Sequence, residues 1–462
     1  DAALAAFAGQ ELAWAPCEEV AEDQPPLECA GLRVPVDWAA PQGAPVEVAL
    51  ARLRATGTDR VGALVVDPGG PGASGVGWLR AAGAGVVTEA VAARYDVVAF
   101  DPRGAGASAP LRCLDDAGMD AFLAGGEGSA GLLARGCAER GGPLVGHVDV
   151  ASVARDVEVL RSALGEERLH YLGKSWGTLL GATYAGLHPQ RVGRMVLDGA
   201  LDPASDAADV LLGQAEGLEG ALGAYLADCA ERGSCPLDDD PAAGGDQVRD
   251  LLEAAEADPL PTGTDRELTA PLALLGVIAP LYDDDTWPLL DEALAAALDD
   301  DGSVLIQLAD AYADRREDGT YATNLLQAFT ATTCLDQPEV GPAEAEAARA
   351  RLLEVAPVLG EALAGDGGSG PCEGWPVPPV RTPAPIAAEG AAPILVLGTT
   401  GDPATPYAWA QALADQLTSG RLLTREGEGH TAYRQGSACV DAAVDAYLLD
   451  GVLPGEGATC RS

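Results

Sequence analysis

Short apolar runs alternate with helical patterns between residues 61 and 199, and each run ends in a turn rich in glycine or proline. The runs are ALVVDPGGPG (63–72), YDVVAFDPRGAGAS (95–108), LHYLGKSWG (169–177) and RMVLDGALDP (194–203). Strands that are apolar throughout and separated by helices are typical of a parallel sheet covered on both faces. The pattern therefore predicts an α/β fold.

The pattern changes on both sides of this segment. Alternating apolar residues in LRVPVDWAAPQGAPVEVALARLRA (32–55) indicate antiparallel strands that start the sheet. From about Ala204 to Arg381 helical patterns and acidic clusters replace the apolar runs, which predicts a helical insertion. The α/β pattern returns with APILVLGTTGDPATP (392–406) and GRLLTREGEGH (420–430), before a final helix. We therefore expect a core formed by residues 1–203 and 382–462, with residues 204–381 inserted as a helical cap.

Composition excludes some classes of partner. Of 462 residues, 48% are hydrophobic, which indicates a globular protein, and the net charge is −43. This charge would repel nucleic acid and an anionic membrane surface. A solvated exterior is the simplest interpretation of the acidity, while a high-salt habitat and a cationic substrate stay open. The sequence contains no run of about twenty apolar residues, so no membrane-spanning helix is predicted.

Cysteine usage indicates an oxidising compartment. Ten cysteines without a C-x-x-C motif favour an exported, disulfide-bonded protein over a reduced cytosolic one. Because the numbering starts at Asp1 without a charged and apolar leader, we expect that a signal peptide has been removed. The simplest pairing, among others that the sequence leaves open, joins Cys17 with Cys29, Cys113 with Cys137, Cys229 with Cys235, Cys334 with Cys372 and Cys439 with Cys460.

The segment from Gly173 to Gly177 matches the motif G-x-S-x-G between a predicted buried strand and a predicted helix. In that context the serine lies on a sharp turn, and the glycines leave room beside it. We predict that Ser175 is a nucleophile. The alternative is an ordinary strand-to-helix turn.

A serine hydroxyl needs a base, and histidine has the fitting pKa. The chain has only four histidines. His147 precedes a helix, His170 begins the strand that carries the serine, and His188 ends the following helix. His430 follows a late strand, at the edge of the sheet where Ser175 is expected, and is predicted to be the base.

The orienting acid of such a site is expected between the serine and the histidine in sequence, at a strand end. Asp402 meets both conditions, and it would hold the imidazole and stabilise its charged form. The alternative for Asp402 is an Asp-Pro turn residue. Glu426 and Glu428 are weaker candidates because they lie too near the histidine in sequence.

Lys174 is the only lysine in the chain and directly precedes Ser175. Adjacent residues of a strand point to opposite faces, so Lys174 is not expected to reach the serine hydroxyl. We interpret it as a bystander that pairs with a carboxylate.

The developing oxyanion requires hydrogen-bond donors. We predict the backbone N–H of Trp176 as the first donor and that of Gly70, in DPGGPGASG, as the second, with Gly69 as the alternative. A flexible glycine turn is the structural alternative for this loop.

Together these motifs resemble the secreted tripeptidyl aminopeptidase family of actinobacteria, α/β-hydrolases related to proline iminopeptidases. The resemblance covers nearly the whole chain and includes DPGGPGASG, FDPRGAGAS, the serine motif, LYDDDTWPLLDEALAAA, TTCLDQP, GTTGDPATP and GHTAY. It implies an α/β-hydrolase core with a helical cap, and it matches Ser175, Asp402 and His430 to the catalytic triad of the family.

The resemblance also implies the release of short peptides, often tripeptides, from a free amino terminus. A carboxylate in the cap would then bind the substrate ammonium, and Asp336 is our candidate; otherwise Asp336 orders a disulfide-bearing loop. Thr405 matches a family position and is expected to shape the loop around Asp402. The sequence differs from the family at Lys174, where small or apolar residues are more usual.

The sequence thus predicts a secreted serine exopeptidase that acts on peptides and requires no metal or organic cofactor. It does not determine the oligomeric state, for which a monomer is favoured. An esterase or amidase that acts on a small natural product is the alternative, because the same machinery cleaves esters. A catalytically silent binding protein is a third hypothesis, and it conflicts with the intact serine, acid and histidine.

Overall fold

A computed structural model of the chain describes residues 2–461 except 19–25, 127, 130, 339 and 366–371. In this part of the chain the strands are β1 (Ala15–Pro16), β2 (Glu28–Pro35), β3 (Pro45–Leu53), β4 (Gly62–Asp67), β5 (Tyr95–Phe100), β6 (Leu169–Lys174), β7 (Val192–Asp198), β8 (Leu260–Pro261), β9 (Glu267–Leu268), β10 (Ile394–Gly401), β11 (Gly420–Glu428) and β12 (Ala458–Arg461).

The α-helices of the described residues are α1 (Ala2–Phe7), α2 (Gly75–Ala82), α3 (Glu89–Ala92), α4 (Asp116–Ala124), α5 (Leu132–Arg140), α6 (Val150–Ala163), α7 (Trp176–Leu187), α8 (Ala207–Arg232), α9 (Pro241–Ala257), α10 (Ala270–Ile278), α11 (Trp287–Leu298), α12 (Ser303–Tyr312), α13 (Leu325–Asp336), α14 (Pro342–Val355), α15 (Gly360–Ala364), α16 (Tyr407–Gln416) and α17 (Ala438–Asp450). Short 3₁₀ helices span Gly83–Val86, Gly142–Gly146, Pro189–Arg191, Ala279–Tyr282 and Asp284–Thr286.

One large sheet has the strand order β1-β2-β3-β5-β4-β6-β7-β10-β11-β12. The strands β1, β2 and β3 join it antiparallel, and all pairings from β5 through to β12 are parallel. The predicted antiparallel start and parallel body of the sheet are therefore confirmed. The order reverses around β4, because the chain continues to β5 on one side of β4 and returns to β6 on the other. Ligand sites of open α/β sheets lie at the carboxyl ends of the strands beside such a reversal.

The sheet is buried on both faces. Every residue of β4 and of β5 is buried, and alternate residues enter different cores: Val65 belongs to one apolar cluster, and Leu64 and Val66 belong to another. The first cluster includes residues of α6 and α7, and the second includes residues of α2 and α17. Continuous apolar strands were expected for such a sheet, because neither face meets water.

The predicted insertion is not uniform. Residues of α8 to α12 form an apolar cluster of their own, which Leu359 joins, and α14 packs against α8. By contrast, Ala331 and Leu335 of α13 belong to the cluster of the large sheet. The side chain of Gln327 in α13 also accepts hydrogen bonds from the backbone of Cys113 and Leu114. The range 204–381 thus combines a separately packed helical unit with a helix that is docked on the sheet domain.

The structure contains the five disulfides in the predicted pairing, Cys17–Cys29, Cys113–Cys137, Cys229–Cys235, Cys334–Cys372 and Cys439–Cys460. Each joins residues that are at most 38 positions apart. Among the described residues, no helix has the length and apolar character that a membrane crossing requires.

Candidate active site

Ser175 lies on the turn between β6 and α7, with φ of 54° and ψ of −124°. Positive φ is strained for a residue with a side chain and is found where the surrounding structure imposes it. The flanking glycines provide the space, because a Cβ at Gly173 would lie 2.4 Å from the carbonyl oxygen of Gly177, and one at Gly177 would lie 3.1 Å from that of Asp67. The backbone N–H of Ser175 donates to the carbonyl of Asp198 at 2.9 Å, which ties the turn to the end of β7.

His430 and Asp402 are in direct contact. Nδ1 of His430 lies 2.8 Å from Oδ1 and 3.1 Å from Oδ2 of Asp402. Asp402 directly follows β10 and His430 lies two residues beyond β11, so both side chains lie at the carboxyl edge of the sheet, as does Ser175. The His430 side chain is 15% exposed and that of Asp402 is fully buried. This contact has the geometry of an acid that orients an imidazole.

Hydrogen bonds surround the Asp402 carboxylate. The backbone N–H groups of Ala404, Thr405 and Thr431 donate to it at 2.8–3.0 Å. The hydroxyl of Thr405 donates to Oδ2 at 2.9 Å and lies 3.4 Å from Nδ1 of His430. Burial opposes ionisation of Asp402, but the charge of His430 and these hydrogen bonds lower the pKa of the carboxyl below its usual value. Asp402 is therefore held as a carboxylate.

The loop after β4 approaches the serine turn closely. A Cβ at Gly69 would lie 2.5 Å from the carbonyl oxygen of Lys174 and 3.0 Å from the backbone nitrogen of Trp176. Gly69 donates its N–H to Oδ1 of Asp67 at 2.8 Å, and burial raises the pKa of Asp67 to about 7. Within the described residues the N–H groups of Gly70 and Trp176 donate to no acceptor of the chain. Of the two glycines predicted as donors, Gly70 is thus the one whose N–H is not committed to Asp67.

Gly199 lies between the serine turn and the histidine. Its predecessor, Asp198, accepts the N–H of Ser175. A Cβ at Gly199 would lie 3.1 Å from Oγ1 of Thr405 and 3.4 Å from Cε1 of His430. A single glycine thus separates the backbone that holds Ser175 from the His430 and Asp402 pair.

Tyr282 covers the histidine, and sequence reasoning did not single it out. It ends the 3₁₀ helix Ala279–Tyr282 in the inserted region, and its carbonyl accepts the N–H of His430 at 2.8 Å. The two rings meet edge to face with centroids 5.5 Å apart. Tyr282 lies in the segment LYDDDTW, which belongs to a motif shared with the family but gives no indication of a contact with the histidine. The separately packed helical unit therefore contributes directly to the site.

The contacts of the Asp336 carboxylate are with residues outside this site. Both of its carboxylate oxygens accept the N–H of Val150, the first residue of α6, at 3.1 and 3.2 Å. Burial, with the nearby negative charge of Asp149, raises the pKa of Asp336 to about 8, against the opposing effects of the Val150 N–H and Arg381. These contacts are those of a structural group at a helix start.

The other histidines have separate environments. Nδ1 of His170 accepts the N–H of Arg194, and burial lowers the pKa of His170 to about 4. His188 packs against the ring of Tyr184, with centroids 5.3 Å apart, and the backbone carbonyl of His147 accepts a hydrogen bond from the guanidinium of Arg103. None of these contacts involves Asp402, the acid that contacts His430.

The negative charges of Glu428, in the sheet domain, and of Asp284, in the insertion, repel each other at the end of β11, two residues before the histidine. Glu428 ends β11 and is half-buried against Gly401, where a Cβ would lie 2.0 Å from its Oε2. Burial and then the negative charge of Asp284 raise the pKa of Glu428, while Arg425 opposes both. A positive charge at this position would relieve the repulsion between the two carboxylates.

Comparison with known proteins relates the whole chain to bacterial hydrolases. A family model described as TAP-like protein matches residues 356–460, the segment that contains Asp402 and His430. Serine protease Hip1 of Mycobacterium tuberculosis is 38% identical over 486 residues, which cover 98% of this chain and 91% of that protein.

Two further relatives match over a similar extent. Carboxylesterase B of Mycobacterium tuberculosis is 38% identical over 467 residues, which cover 97% of this chain and 89% of that protein. Tripeptidyl aminopeptidase of Streptomyces lividans is 33% identical over 484 residues, with 99% of this chain and 88% of that protein covered.

Proposed function

The chain belongs to the tripeptidyl aminopeptidase-like family of α/β-hydrolases, and we propose that it is a serine exopeptidase that releases short peptides, in particular tripeptides, from free amino termini. The observation that carries this proposal is the contact between His430 and Asp402 at the same sheet edge as the strained turn of Ser175. The order of these residues along the chain is that of α/β-hydrolase nucleophiles, acids and bases.

In the acylation step, Oγ of Ser175 attacks the scissile carbonyl carbon and its proton passes to Nε2 of His430. Asp402 holds the opposite ring nitrogen and stabilises the imidazolium. The negative oxygen of the tetrahedral intermediate accepts hydrogen bonds from the backbone N–H groups of Gly70 and Trp176. The intermediate collapses when the C–N bond breaks and the leaving amine takes the proton from His430.

Deacylation repeats these steps with water as the nucleophile. A water molecule attacks the ester carbonyl of the acyl-enzyme and gives a proton to His430. The C–O bond to Ser175 then breaks, Oγ recovers the proton, and the short peptide leaves with a carboxyl terminus. This sequence uses side chains and backbone groups of the chain and one water.

An exopeptidase of this kind must recognise a substrate ammonium. We propose that the carboxylate of Glu428 attracts it, together with the negative charge of Asp284. The support is the position of Glu428 at the end of β11, against Gly401 and two residues before His430. Burial and the negative charge of Asp284 also raise the pKa of Glu428, and a bound cation would oppose this effect. Asp336, the candidate that the sequence favoured, uses its carboxylate for Val150.

The five disulfides support an extracellular location, because such bonds persist in oxidising compartments. Some of these disulfides lie within the sheet domain and the others lie within the insertion. We propose that the mature protein acts outside the cytoplasm on peptides.

A carboxylesterase is the second candidate function. The observation that favours it is the 38% identity over almost the whole chain to a protein named carboxylesterase B. An acyl-enzyme forms equally from an ester, so the fold does not distinguish these substrates.

The test is hydrolysis of chromogenic amides that carry one, two or three residues, each with a free or an acetylated amino terminus. Ser175→Ala provides the blank. Preference for the free three-residue amide is expected. Hydrolysis of simple esters without hydrolysis of any peptide amide would contradict the peptidase and support the esterase.

For the ammonium site, Glu428→Gln is expected to raise KM for the free-amine substrate about tenfold, since a charged hydrogen bond contributes roughly 1.5–3 kcal/mol. Its kcat for an acetylated ester should not change. Equal KM values for the free-amine amide in the variant and the original protein would remove Glu428 from the proposal.

A further inference from the structure

The segment that follows His430 has a strained backbone. Thr431 has φ of 72° and Arg434 has φ of 64°, although neither is a glycine. Positive φ is a marked outlier for a β-branched residue such as threonine, and it persists where surrounding contacts impose it. Contacts outside the segment must therefore hold the backbone that carries the histidine.

The carboxylate of Asp198 supplies two of these contacts. Its Oδ1 accepts the N–H of Ala432 at 2.8 Å, and its Oδ2 accepts the N–H of Tyr433 at 3.0 Å. The Asp198 side chain is fully buried. These hydrogen bonds fix the backbone of Ala432 and Tyr433, which come two and three residues after His430.

Lys174 supplies the next contacts. Its Nζ donates to the carbonyl of Tyr433 at 2.7 Å and lies 3.3 Å from Oγ1 of Thr431 and 3.8 Å from Oδ2 of Asp198. The carboxylate thus binds the N–H of Tyr433 while the ammonium binds its carbonyl. One ion pair therefore binds both the N–H and the carbonyl of Tyr433.

The same two residues also hold the serine turn. Lys174 precedes Ser175 in the chain and is the register partner of Asp198 across β6 and β7. The carbonyl of Asp198 accepts the N–H of Ser175 at 2.9 Å. Any shift of this pair would therefore move the predicted nucleophile and the histidine segment relative to each other.

We propose that Lys174 and Asp198 are positioning residues, a buried ion pair that sets the location of His430 relative to Ser175. The inference rests on the proposed roles of Ser175 and His430 as nucleophile and base. It gives the only lysine of the chain a function, whereas the sequence suggested a bystander. A misplacement of about 1 Å in such a site can lower the rate about 100-fold.

The charges of the pair depend on each other. Burial opposes the charged form of both residues, so it lowers the pKa of Lys174 and raises that of Asp198, and each partner counteracts the effect on the other. Removal of one partner leaves an uncompensated buried charge, which strongly destabilises the folded protein. Removal of both partners avoids that destabilisation but also removes the contacts to Tyr433.

This difference separates positioning from stability. We compare Lys174→Met, Asp198→Asn and the double variant by thermal unfolding, by kcat and KM on the preferred substrate, and by the rate at which a fluorophosphonate labels Ser175. Lys174→Met is expected to unfold at a lower temperature and to lose about 100-fold in kcat and labelling rate, with KM changed less than about threefold. The double variant is expected to recover thermal stability but not kcat.

The matched control is Arg161→Met. Arg161 also forms a buried ion pair, with Glu158 of the same helix α6, and the two side chains are 8% and 13% exposed. Its loss is expected to lower the unfolding temperature without changing kcat. Recovery of the original kcat in the double variant, or an unchanged labelling rate in Lys174→Met, would overturn the inference.

The uniqueness of Lys174 offers a second readout. Protein labelled with ¹³C-lysine has one lysine Cε signal, because the chain has one lysine. That signal is expected to shift when the fluorophosphonate modifies Ser175, and an unshifted signal would count against the coupling. If the unaltered protein is not labelled at Ser175 at all, the proposed function itself fails. Equal labelling of the unaltered protein and Lys174→Met refutes the positioning role alone.

Discussion

Nδ1 of His430 lies 2.8 Å from Oδ1 of Asp402, and the two residues follow neighbouring parallel strands, β10 and β11. The sheet therefore fixes their separation, because both strands end at the same edge. Three backbone N–H groups complete the environment of the carboxylate. The acid is thereby prevented from rotating away from the imidazole.

Asp402→Asn is expected to lower kcat about 10⁴-fold with little change in KM, because an amide cannot accept all of these hydrogen bonds and stabilises the wrong imidazole tautomer. Steady-state kinetics on the preferred amide measure this effect, and thermal unfolding verifies that the variant is folded. A kcat within about tenfold of the original value would be inconsistent with Asp402 as the orienting acid.

Thr405→Val removes the hydroxyl that donates to Asp402 and lies beside Nδ1 of His430. We expect kcat to fall about tenfold, which corresponds to roughly 1.4 kcal/mol, since hydrogen bonds to charged groups contribute about this much. The exposed Thr400, whose hydroxyl donates to the Gly427 carbonyl, provides the matched control Thr400→Val. Equal kcat values in the two variants would exclude a role for Thr405.

Gly69→Ala places a methyl group against the serine turn, where it would meet Lys174 and Trp176 at 2.5 and 3.0 Å. The oxyanion loop would have to move away from Ser175, so kcat is expected to fall about 10²- to 10³-fold. Gly85→Ala is the control, because a Cβ there has no atom within 4 Å. If Gly69→Ala retains full kcat, the loop does not supply an oxyanion donor.

Asp336 gives a stability prediction that depends on pH. Burial raises its pKa in the folded protein to about 8 from a usual value of 3.8. A carboxyl with a raised folded pKa stabilises the protein fully below its unfolded pKa, and this contribution disappears as the pH rises toward 8.

Asp336→Asn should therefore weaken the decline in the free energy of unfolding between pH 4 and 8 by at least about 1 kcal/mol, since one pKa unit corresponds to about 1.4 kcal/mol. Denaturant unfolding at several pH values measures the decline. The preference for free amino termini should not change. Loss of that preference would instead return Asp336 to the role of ammonium ligand.

Much of the core was predictable because its signals are local. Apolar runs followed by glycine-rich turns indicated the parallel strands, and the order of serine, acid and histidine followed from strand ends. Near-neighbour pairing gave the five disulfides. These features depend on few residues that lie close together in sequence.

The rest depends on contacts between distant segments. Helical periodicity in α13 does not reveal that Gln327 binds the backbone of Cys113, 214 residues away. The contact of Tyr282 with His430 likewise requires the insertion to fold over the sheet. Lys174 was correctly expected to pair with a carboxylate, but the register of β6 and β7 was needed to identify Asp198.

The most direct test of the central claim is covalent labelling with a fluorophosphonate, followed by mass spectrometry of the proteolysed protein. The account predicts one modification, on the peptide that contains Ser175. It also predicts no labelling of Ser175→Ala and labelling of His430→Ala at least about 10³-fold slower, because the hydroxyl then lacks its base. Modification of a different residue, or equal labelling rates for His430→Ala and the unaltered protein, would contradict it.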